Sequence, residues 1–369
     1  MRPVSTPTPR ENQVIKPSRT SALKSAEPGL KRRPTINDIA RLANVSKKTV
    51  SRVLNNSPFV REETRRHISA IMNEMGYVPD PQARGLAFRR SFLIGMIYDN
   101  PNAQFVVGMQ QGVLDGLRGA GYELVLHPCN RLSKTLIEEV MGFVERQKLY
   151  GVVLLPPVCE NDRLTQMLEE RGCHYVRVAS ALLDAPSRLV LSTDRAVAAD
   201  AARHLADLGH TRIAMIAGPP GYRSRKERRD GFVDGLRSRG LDLAPDYVVD
   251  GAYTYESGVE GARALLSRKP RPTAIFASND EMAAGVYQVA REMQLAIPRD
   301  LSIVGFDDTP MSARLAPPLT TVRWPIAEMG RAAAEKLLAA EAGGDEPSSA
   351  RPFPAHLVER ESTAPPPRA

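Results

Sequence analysis

Cysteine is scarce in this chain of 369 residues, which has Cys129, Cys159 and Cys173 and no CxxC pair. An odd number of isolated cysteines indicates neither a disulfide framework nor a zinc site, and it suits a reducing compartment. The sequence has no run of about 18 apolar residues, and its N-terminal stretch lacks the apolar core of a secretory signal. We therefore expect a cytoplasmic protein without a membrane span, a metal or a cofactor.

Motifs that carry enzymatic chemistry are also missing. The chain has no GxGxxG after a predicted strand, no GxxxxGK[ST], no HExxH and no GxSxG, and its six histidines are scattered. The GPPG stretch from Gly218 to Gly221 lacks the lysine and the spacing that would hold phosphates. The sequence therefore predicts that the protein is not an enzyme. Turnover in a screen of nucleotide and sugar substrates would contradict this prediction.

Positive charge is concentrated at one end of the chain. Residues 1–90 carry 18 Lys and Arg against 7 Asp and Glu, a net +11, whereas the remaining residues carry 32 against 35, a net −3. A basic N-terminal part on a slightly acidic body is typical of a tethered nucleic-acid binder. Residues 1–33 are rich in Pro, Ser, Thr and basic residues without apolar periodicity, so we predict a disordered tail there.

Helical periodicity begins directly after this tail. Apolar residues recur at i, i+3, i+4 and i+7, the pattern of a helix with one buried face, at Ile36, Ile39, Ala40 and Ala43. Thr35 and Asp38 form an [ST]-x-x-[DE] signal at the start of this helix.

A second helix is predicted to begin after Ser46, a residue type that caps helices well. Its inward residues are apolar: Val50, Val53 and Leu54. Its outward residues are polar or basic, and can donate to base edges or phosphates: Lys47, Lys48, Ser51, Arg52 and Asn55. A third apolar stripe closes a three-helix core: Ile68, Ile71, Met72 and Met75. The segment thus predicts a helix-turn-helix whose second helix enters the DNA major groove. The alternative is a small amphipathic bundle with a solvated basic face.

Short apolar runs alternate with amphipathic stretches further along the chain. The runs are residues 92–98, 123–127, 151–156, 175–179, 189–193, 212–218, 273–279 and 301–307. Such an alternation predicts parallel sheets with helices on both faces. The strands are too many for one small sheet and fall into two similar sets. We therefore predict an α/β core of two doubly wound subdomains, with a ligand cleft at the carboxyl ends of the strands.

The residues of these segments resemble one family. VSKKTVSRVLN, VREETRRHI and MGYVPD resemble the DNA-binding headpiece of the LacI/GalR family of bacterial transcriptional regulators. LGHTRIAMIAGP, FASNDEMAAGV and SIVGFDDTP resemble the core of that family, which is itself similar to periplasmic sugar-binding proteins. The resemblance extends from Thr35 to about Ser362. It implies an N-terminal all-α helix-turn-helix headpiece with a hinge helix, followed by a periplasmic-binding-protein-like core.

The resemblance implies operator contacts in the headpiece and hinge. It assigns them to Thr35, Ser46, Lys47, Lys48, Thr49, Ser51, Arg52, Asn55, Ala83 and Leu86. Lys47 and Lys48 match the positions that vary with operator sequence, and Arg52 matches the shared base reader. Leu86 matches a leucine that wedges into the minor groove, although it could also be an ordinary linker residue. Gly85 lowers helix propensity by about 1 kcal/mol relative to alanine, so we expect the hinge to fold on DNA.

The resemblance also implies an effector pocket. It assigns effector contacts to Asn100, Asn102, Phe105, Arg228, Asn279 and Asp307. A guanidinium, an amide and a carboxylate offer the donors and acceptors that adjacent sugar hydroxyls need. Each polar residue also has a structural alternative, because Arg228 lies in a charged run, Asn279 could cap a helix and Asp307 could hold a turn.

One strand departs from the family pattern. Many relatives carry an aspartate near Val178, whereas this chain has Arg177 and Ser180 close by. That difference would suit an anionic or unusually hydroxylated effector.

Together with these patterns, the resemblance implies a transcriptional regulator, a repressor of carbohydrate-related genes, that binds a pseudo-palindromic double-stranded DNA operator as a homodimer and responds to a sugar or sugar derivative. The predicted domains are a tail at 1–33, a headpiece at 34–79, a hinge helix at 80–90 and a core at 91–369. Within the core we predict an N-subdomain at about 91–190 plus 323–342 and a C-subdomain at about 191–322 plus 343–369. The alternative, a free solute-binding protein, should be secreted and lack residues 34–90.

Overall fold

The computed structural model describes residues 34–54, 57, 59–77, 91–342 and 351–367. The chain divides into two compact units, Met1–Asp80 and Pro81–Ala369. The predicted tail at 1–33, the predicted hinge at 80–90 with Ala83 and Leu86, and Asn55 lie outside the described residues. None of the helices in the described ranges has the length and apolar character needed to cross a bilayer.

The first unit contains three helices, α1 (Ile36–Leu42), α2 (Lys47–Leu54) and α3 (Glu62–Glu74). The predicted start of α1 is confirmed, because the Asp38 carboxylate accepts hydrogen bonds from the backbone N–H and the hydroxyl of Thr35, at 2.9 and 2.7 Å. In the turn, Asn44 adopts a φ of 52°, a left-handed conformation that asparagine tolerates. Ser46 then caps α2, since its hydroxyl oxygen accepts the Thr49 N–H at 3.1 Å.

The three helices share one small apolar core. Its buried members are Ile39, Ala40, Ala43, Val50, Val53 and Ile68. Arg65 of α3 adds a polar tie, donating from Nη2 to the Ser57 carbonyl at 2.7 Å. The predicted stripes are confirmed except at Met75, which is 40% exposed because α3 ends one residue earlier. Tyr77 packs against this core instead.

The second unit begins with a parallel sheet. Its strands are β1 (Leu93–Tyr98), β2 (Glu123–Pro128), β3 (Gly151–Leu154), β4 (His174–Ala179) and β5 (Leu189–Leu191), in the order β2-β1-β3-β4-β5. Three helices follow its strands, α4 (Ala103–Leu117), α5 (Leu136–Gln147) and α6 (Asp162–Glu170). Apolar clusters cover both faces of this sheet, which explains why its strands are nearly continuous apolar runs.

A second sheet follows. Its strands are β6 (Ile213–Ala217), β7 (Val248–Asp250), β8 (Ala274–Ala277), β9 (Ser302–Asp307), β10 (Thr320–Arg323) and β11 (His356–Val358), in the order β11-β10-β9-β8-β6-β7. Neighbouring strands are parallel apart from β11, which joins antiparallel to β10. Its helices are α7 (Asp194–Asp207), α8 (Arg223–Arg237), α9 (Tyr255–Leu266) and α10 (Asp280–Glu292).

The chain crosses between the two sheets. After β5 it enters α7, and after β10 it enters α11 (Ile326–Ala342), which packs against α4. We therefore call residues 91–191 and 324–342 the N-subdomain, and residues 192–323 and 351–367 the C-subdomain. The predicted fold, a helix-turn-helix headpiece with two doubly wound α/β subdomains, is confirmed.

The eight predicted strands are confirmed, with ends shifted by at most two residues. The sequence does not predict β7, β10 and β11. These strands, VVD, TTVR and HLV, each include a polar or charged residue among only three or four, so they do not form a continuous apolar run.

Candidate functional site

The outward face of α2 presents the predicted DNA-reading side chains. Lys47, Lys48 and Arg52 are exposed, whereas Thr49 and Ser51 are half-buried. The Thr49 hydroxyl lies 2.9 Å from the hydroxyl of Ser46, so these two residues fix the start of the helix. Ammonium and guanidinium groups at the N-terminal part of such a helix can reach guanine edges and phosphates. Thr35 belongs to the cap of α1.

A narrow cavity, of about 30 Å³, lies at the carboxyl ends of the strands of both sheets. Small-molecule sites occur at this position in open α/β sheets. Its lining includes all six residues predicted for the effector pocket, with residues of both subdomains: Asn100, Asn102, Phe105, Pro156, Ser180, Tyr222, Ser224, Arg228, Tyr253, Asn279, Asp307 and Trp324.

Arg228 reaches the cavity from α8 and is 4% exposed. Its Nε donates to Asp194 Oδ2 at 2.8 Å, and its Nη1 donates to the Ser278 carbonyl at 2.6 Å. The guanidinium lies 3.5 Å from the centroid of the Phe306 ring, in cation-π geometry. Nη2 is 4.0 Å from Asp307 Oδ1. Nε and Nη1 therefore donate to groups of the protein, and Nη2 is directed towards Asp307.

Asp307, at the end of β9, connects the subdomains. Its Oδ2 accepts a hydrogen bond from Asn102 Nδ2 at 2.7 Å. Burial raises the pKa of Asp307 to about 8, and Asp280 adds to the rise, whereas Arg228 and the bond from Asn102 act in the opposite direction. The surroundings therefore favour the protonated form of this carboxyl group.

The three asparagines of the cavity all have partners within the fold. Asn102 Oδ1 accepts the Phe105 N–H at 3.1 Å and caps α4, while Asn100 Oδ1 accepts the Asn102 N–H at 2.9 Å. Asn279 Oδ1 accepts the Met282 N–H at 2.9 Å, so the helix-cap alternative for this residue is confirmed. Its amide also donates to the carbonyl of Tyr253 at 2.9 Å.

Aromatic rings form much of the remaining lining. Phe105 and Trp324 stack with centroids 5.1 Å apart and planes 16° apart, and Phe306 meets Trp324 edge-on at 6.3 Å. Tyr222 and Tyr253 meet edge-on at 5.8 Å. The sequence does not assign Tyr222, Tyr253 or Trp324 to the site. Their position could have indicated the site, since each comes shortly after the end of a strand.

Arg177 corrects one sequence interpretation. This side chain is 1% exposed, but its guanidinium donates to Asp162 Oδ1 at 2.5 Å and to the Leu183 carbonyl at 2.7 Å, and it is absent from the cavity lining. Its charge holds the loop after β4, so Arg177 gives no support to an anionic effector. Ser180, in the same loop, does line the cavity.

Within the described ranges, no group of three or more His, Cys, Asp and Glu side chains is placed to hold a metal ion.

Residues 35–80 match the family model for bacterial regulatory proteins of the lacI family, and residues 202–363 match that for a periplasmic binding protein-like domain. The HTH-type transcriptional regulator CelR of Thermobifida fusca is 34% identical to this chain over 340 residues, which cover 90% of the chain and 99% of CelR. The chain belongs to the lacI family. It is thus a DNA-binding transcriptional regulator. Another lacI-family relative, the ribose operon repressor of Escherichia coli K12, is 33% identical over 82% of this chain and 92% of its own length.

Solved structures of the lacI family agree with this assignment over headpiece and core. The CelR–cellobiose complex has a TM-score of 0.67 and 32% identity, and covers 89% of this chain and 100% of that one. The lac repressor dimer bound to operator and the anti-inducer ONPF has a TM-score of 0.71 and 25% identity, and covers 90% and 100%.

Proposed function

We propose that this lacI-family protein represses carbohydrate-related genes, and that a sugar or sugar derivative in the cavity between its subdomains controls its affinity for a pseudo-palindromic operator. The headpiece at 34–79 reads DNA, the hinge at 80–90 connects it, and the core at 91–369 binds the effector and pairs two protomers. The protein acts in the cytoplasm with its DNA, and it is not an enzyme.

One observation carries the effector proposal. Six residues assigned from separate sequence motifs line a single cavity. Stacked aromatic rings suit the apolar faces of a sugar, and the neighbouring guanidinium, carboxyl and amide groups suit its hydroxyls. Among similar structures, CelR was solved with cellobiose and a regulator from Enterococcus faecium with ribose.

The charges around the cavity favour a neutral sugar. The cationic Arg228 is already bonded to Asp194, and Arg177 is bonded outside the cavity. An anionic ligand would add negative charge beside Asp194, whose charge Arg228 already balances. We therefore propose a neutral sugar as the effector class.

Calorimetric titration of the full chain tests this proposal. The panel should contain neutral pentoses, hexoses and disaccharides, with the matching uronates and sugar phosphates. We expect a neutral sugar to bind most tightly and to change operator affinity in a subsequent anisotropy titration. Binding of an anionic form alone would overturn the neutral class, and a sugar that binds without changing operator affinity would overturn the control function.

Asn100 and Asn130 provide a matched pair of variants for the same titration. Each accepts a backbone N–H two residues further on, at 2.9 Å, but only Asn100 is part of the cavity lining. Asn100→Ala should weaken effector binding by roughly 3- to 10-fold, the value of one hydrogen bond. Asn130→Ala loses the same local bond and should bind as the natural chain does.

The surface around α4 supports pairing through the core. Val107 is 57% exposed and Leu114 is 40% exposed, seven residues apart on one side of this helix. Leu126, on the neighbouring edge strand β2, is 39% exposed. An apolar surface of this kind is typical of a protein interface. We propose that two copies of the chain pair there.

A further inference from the structure

A second set of contacts joins the subdomains at the rim of the cavity. The N-subdomain contributes Arg131, in the loop after β2, and Glu160, the last residue of a 3₁₀ helix after β3. The C-subdomain contributes residues 220–223, which lead into α8. Neither Arg131 nor Glu160 belongs to the cavity lining, whereas Tyr222 does.

Glu160 caps a helix of the other subdomain. Its Oε1 and Oε2 accept the backbone N–H of Arg223, the first residue of α8, at 3.0 and 3.3 Å. Tyr222 at the N-cap position provides no side-chain cap of its own. A carboxylate at a helix N-terminus satisfies an unpaired N–H and interacts favourably with the helix dipole. Burial raises the pKa of Glu160, while the bond from Arg223 and the charges of Arg223 and Arg131 act in the opposite direction.

Arg131 also contacts residues 220–223, at the start of α8. Its own backbone N–H is fixed by Asp99 Oδ2 at 2.9 Å. The guanidinium lies 4.6 Å from the centroid of the Tyr222 ring, and Nη2 donates to the Pro220 carbonyl at 3.4 Å. The Tyr222 hydroxyl in turn donates to the Asp99 carbonyl at 3.4 Å. A side chain of the cavity lining is thus held between two groups of the N-subdomain.

We infer that Glu160 and Arg131 are positioning residues that hold the two subdomains closed over the cavity. Their side-chain contacts described above join one subdomain to the other, so any separation at the cavity rim breaks them. Because these contacts are made by protein groups alone, they favour the closed arrangement without any contribution from a ligand. They therefore lower the free energy that ligand binding must supply to close the two subdomains. This inference concerns the free protein, and it holds whichever ligand the cavity takes.

The single tryptophan of the chain reports on closure. Trp324 is 7% exposed and packs between Phe105 of the N-subdomain and Phe306 of the C-subdomain. Acrylamide quenching of its fluorescence in the full chain, without ligand or DNA, measures how often the cavity opens. We expect Glu160→Ala to raise the Stern–Volmer constant at least twofold. Glu160→Gln should raise it less, because the amide oxygen can still accept the Arg223 N–H.

Matched surface variants control for a general loss of stability. Glu138 is exposed on α5 and Arg163 is exposed on α6, both in the N-subdomain. Glu138→Ala and Arg163→Ala should leave quenching unchanged, whereas Arg131→Ala should raise it. Unchanged quenching in folded Glu160→Ala and Arg131→Ala would overturn the inference. If Glu160→Ala does not fold, Arg131→Ala decides instead, and quenching equal to that of the natural chain overturns the inference. Since no effector or operator is present, the result does not depend on the proposed function.

Discussion

Arg228 is bonded to Asp194 and to the Ser278 carbonyl inside the C-subdomain, so it supports the fold as well as the cavity. Arg228→Ala would leave the fully buried Asp194 without its cation. We expect the free energy of unfolding in urea to fall by about 3–5 kcal/mol. Adding Asp194→Asn should recover part of this loss, because a neutral amide is less costly to bury. A fall below about 1 kcal/mol in the single variant would contradict this role.

Asp307 should make stability depend on pH. Its pKa in the folded chain, about 8, lies above the ordinary value of 3.8. Between these values the unfolded chain releases a proton that the folded chain keeps, so stability is lost as pH rises towards 8. We expect Tm to fall between pH 5 and pH 8, and to fall less in Asp307→Asn, since asparagine does not ionise. Parallel pH profiles would contradict this assignment. Asp280, whose pKa burial raises to about 7, accounts for the part that remains.

Lys47 and Lys48 are exposed at the first turn of α2, where base edges are reached. Replacing both with alanine should change the preferred bases, at about 1–3 kcal/mol per lost contact. Selection from a randomised operator library measures this change. Lys134→Ala, an exposed lysine of the core, should keep the original consensus. A double variant that also keeps it would rule out base reading by these lysines.

The sequence predicts the role of some cavity residues and not of others. Asn100 and Asp307 were identifiable from motifs, because the residue types and their order carry the resemblance. Tyr253 was not, since an aromatic residue near an apolar run is more often part of the core. Asp194 was equally hidden, because its partner Arg228 is 34 positions away and only the packing of α7 against α8 joins them.

At the scale of elements, the contact between α4 and α11 depends on glycine. A Cβ at Gly112 would lie 2.0 Å from the carbonyl oxygen of Ala327, so the backbones must separate to admit it. Gly112→Ala should therefore lower the free energy of unfolding by about 1–3 kcal/mol. Gly142 on α5 is the matched control, because a Cβ there meets the flexible end of Arg146. Gly142→Ala should be neutral or stabilising by about 0.5–1 kcal/mol, and equal effects of both variants on thermal unfolding would contradict the close contact.

The sequence predicts the elements whose residues form a local apolar pattern, and it misses those that lack one. Helices such as α1 and α2 show a repeated apolar face and a cap, and buried strands such as β9 show a continuous apolar run. β11 has three residues, and its place in the sheet comes from pairing with β10. That pairing is a long-range contact, and no local pattern encodes it.

At the scale of the whole molecule, the cavity exists because the chain crosses between two sheets. Asn102 and Asp307 are 205 positions apart and yet share a hydrogen bond. The alternation of apolar runs predicted two subdomains, and the rule for ligands at strand ends predicted where they meet. The degree of closure was not predictable, because it depends on side-chain contacts such as that between Glu160 and Arg223.

Pairing of two chains connects the core to DNA recognition. We expect the full chain to sediment as a dimer, and Val107→Lys with Leu114→Lys to convert it to a monomer at micromolar concentration by placing charge in the proposed interface. Leu132→Lys, at a position 76% exposed in the loop after β2, should remain dimeric. Since one recognition helix reads only a half-site, the monomer loses the second, intramolecular binding step, and operator affinity should fall by about 10²-fold or more. A double variant that stays dimeric would place the interface elsewhere, and a monomer with undiminished affinity would show that the headpieces do not bind the operator as a pair.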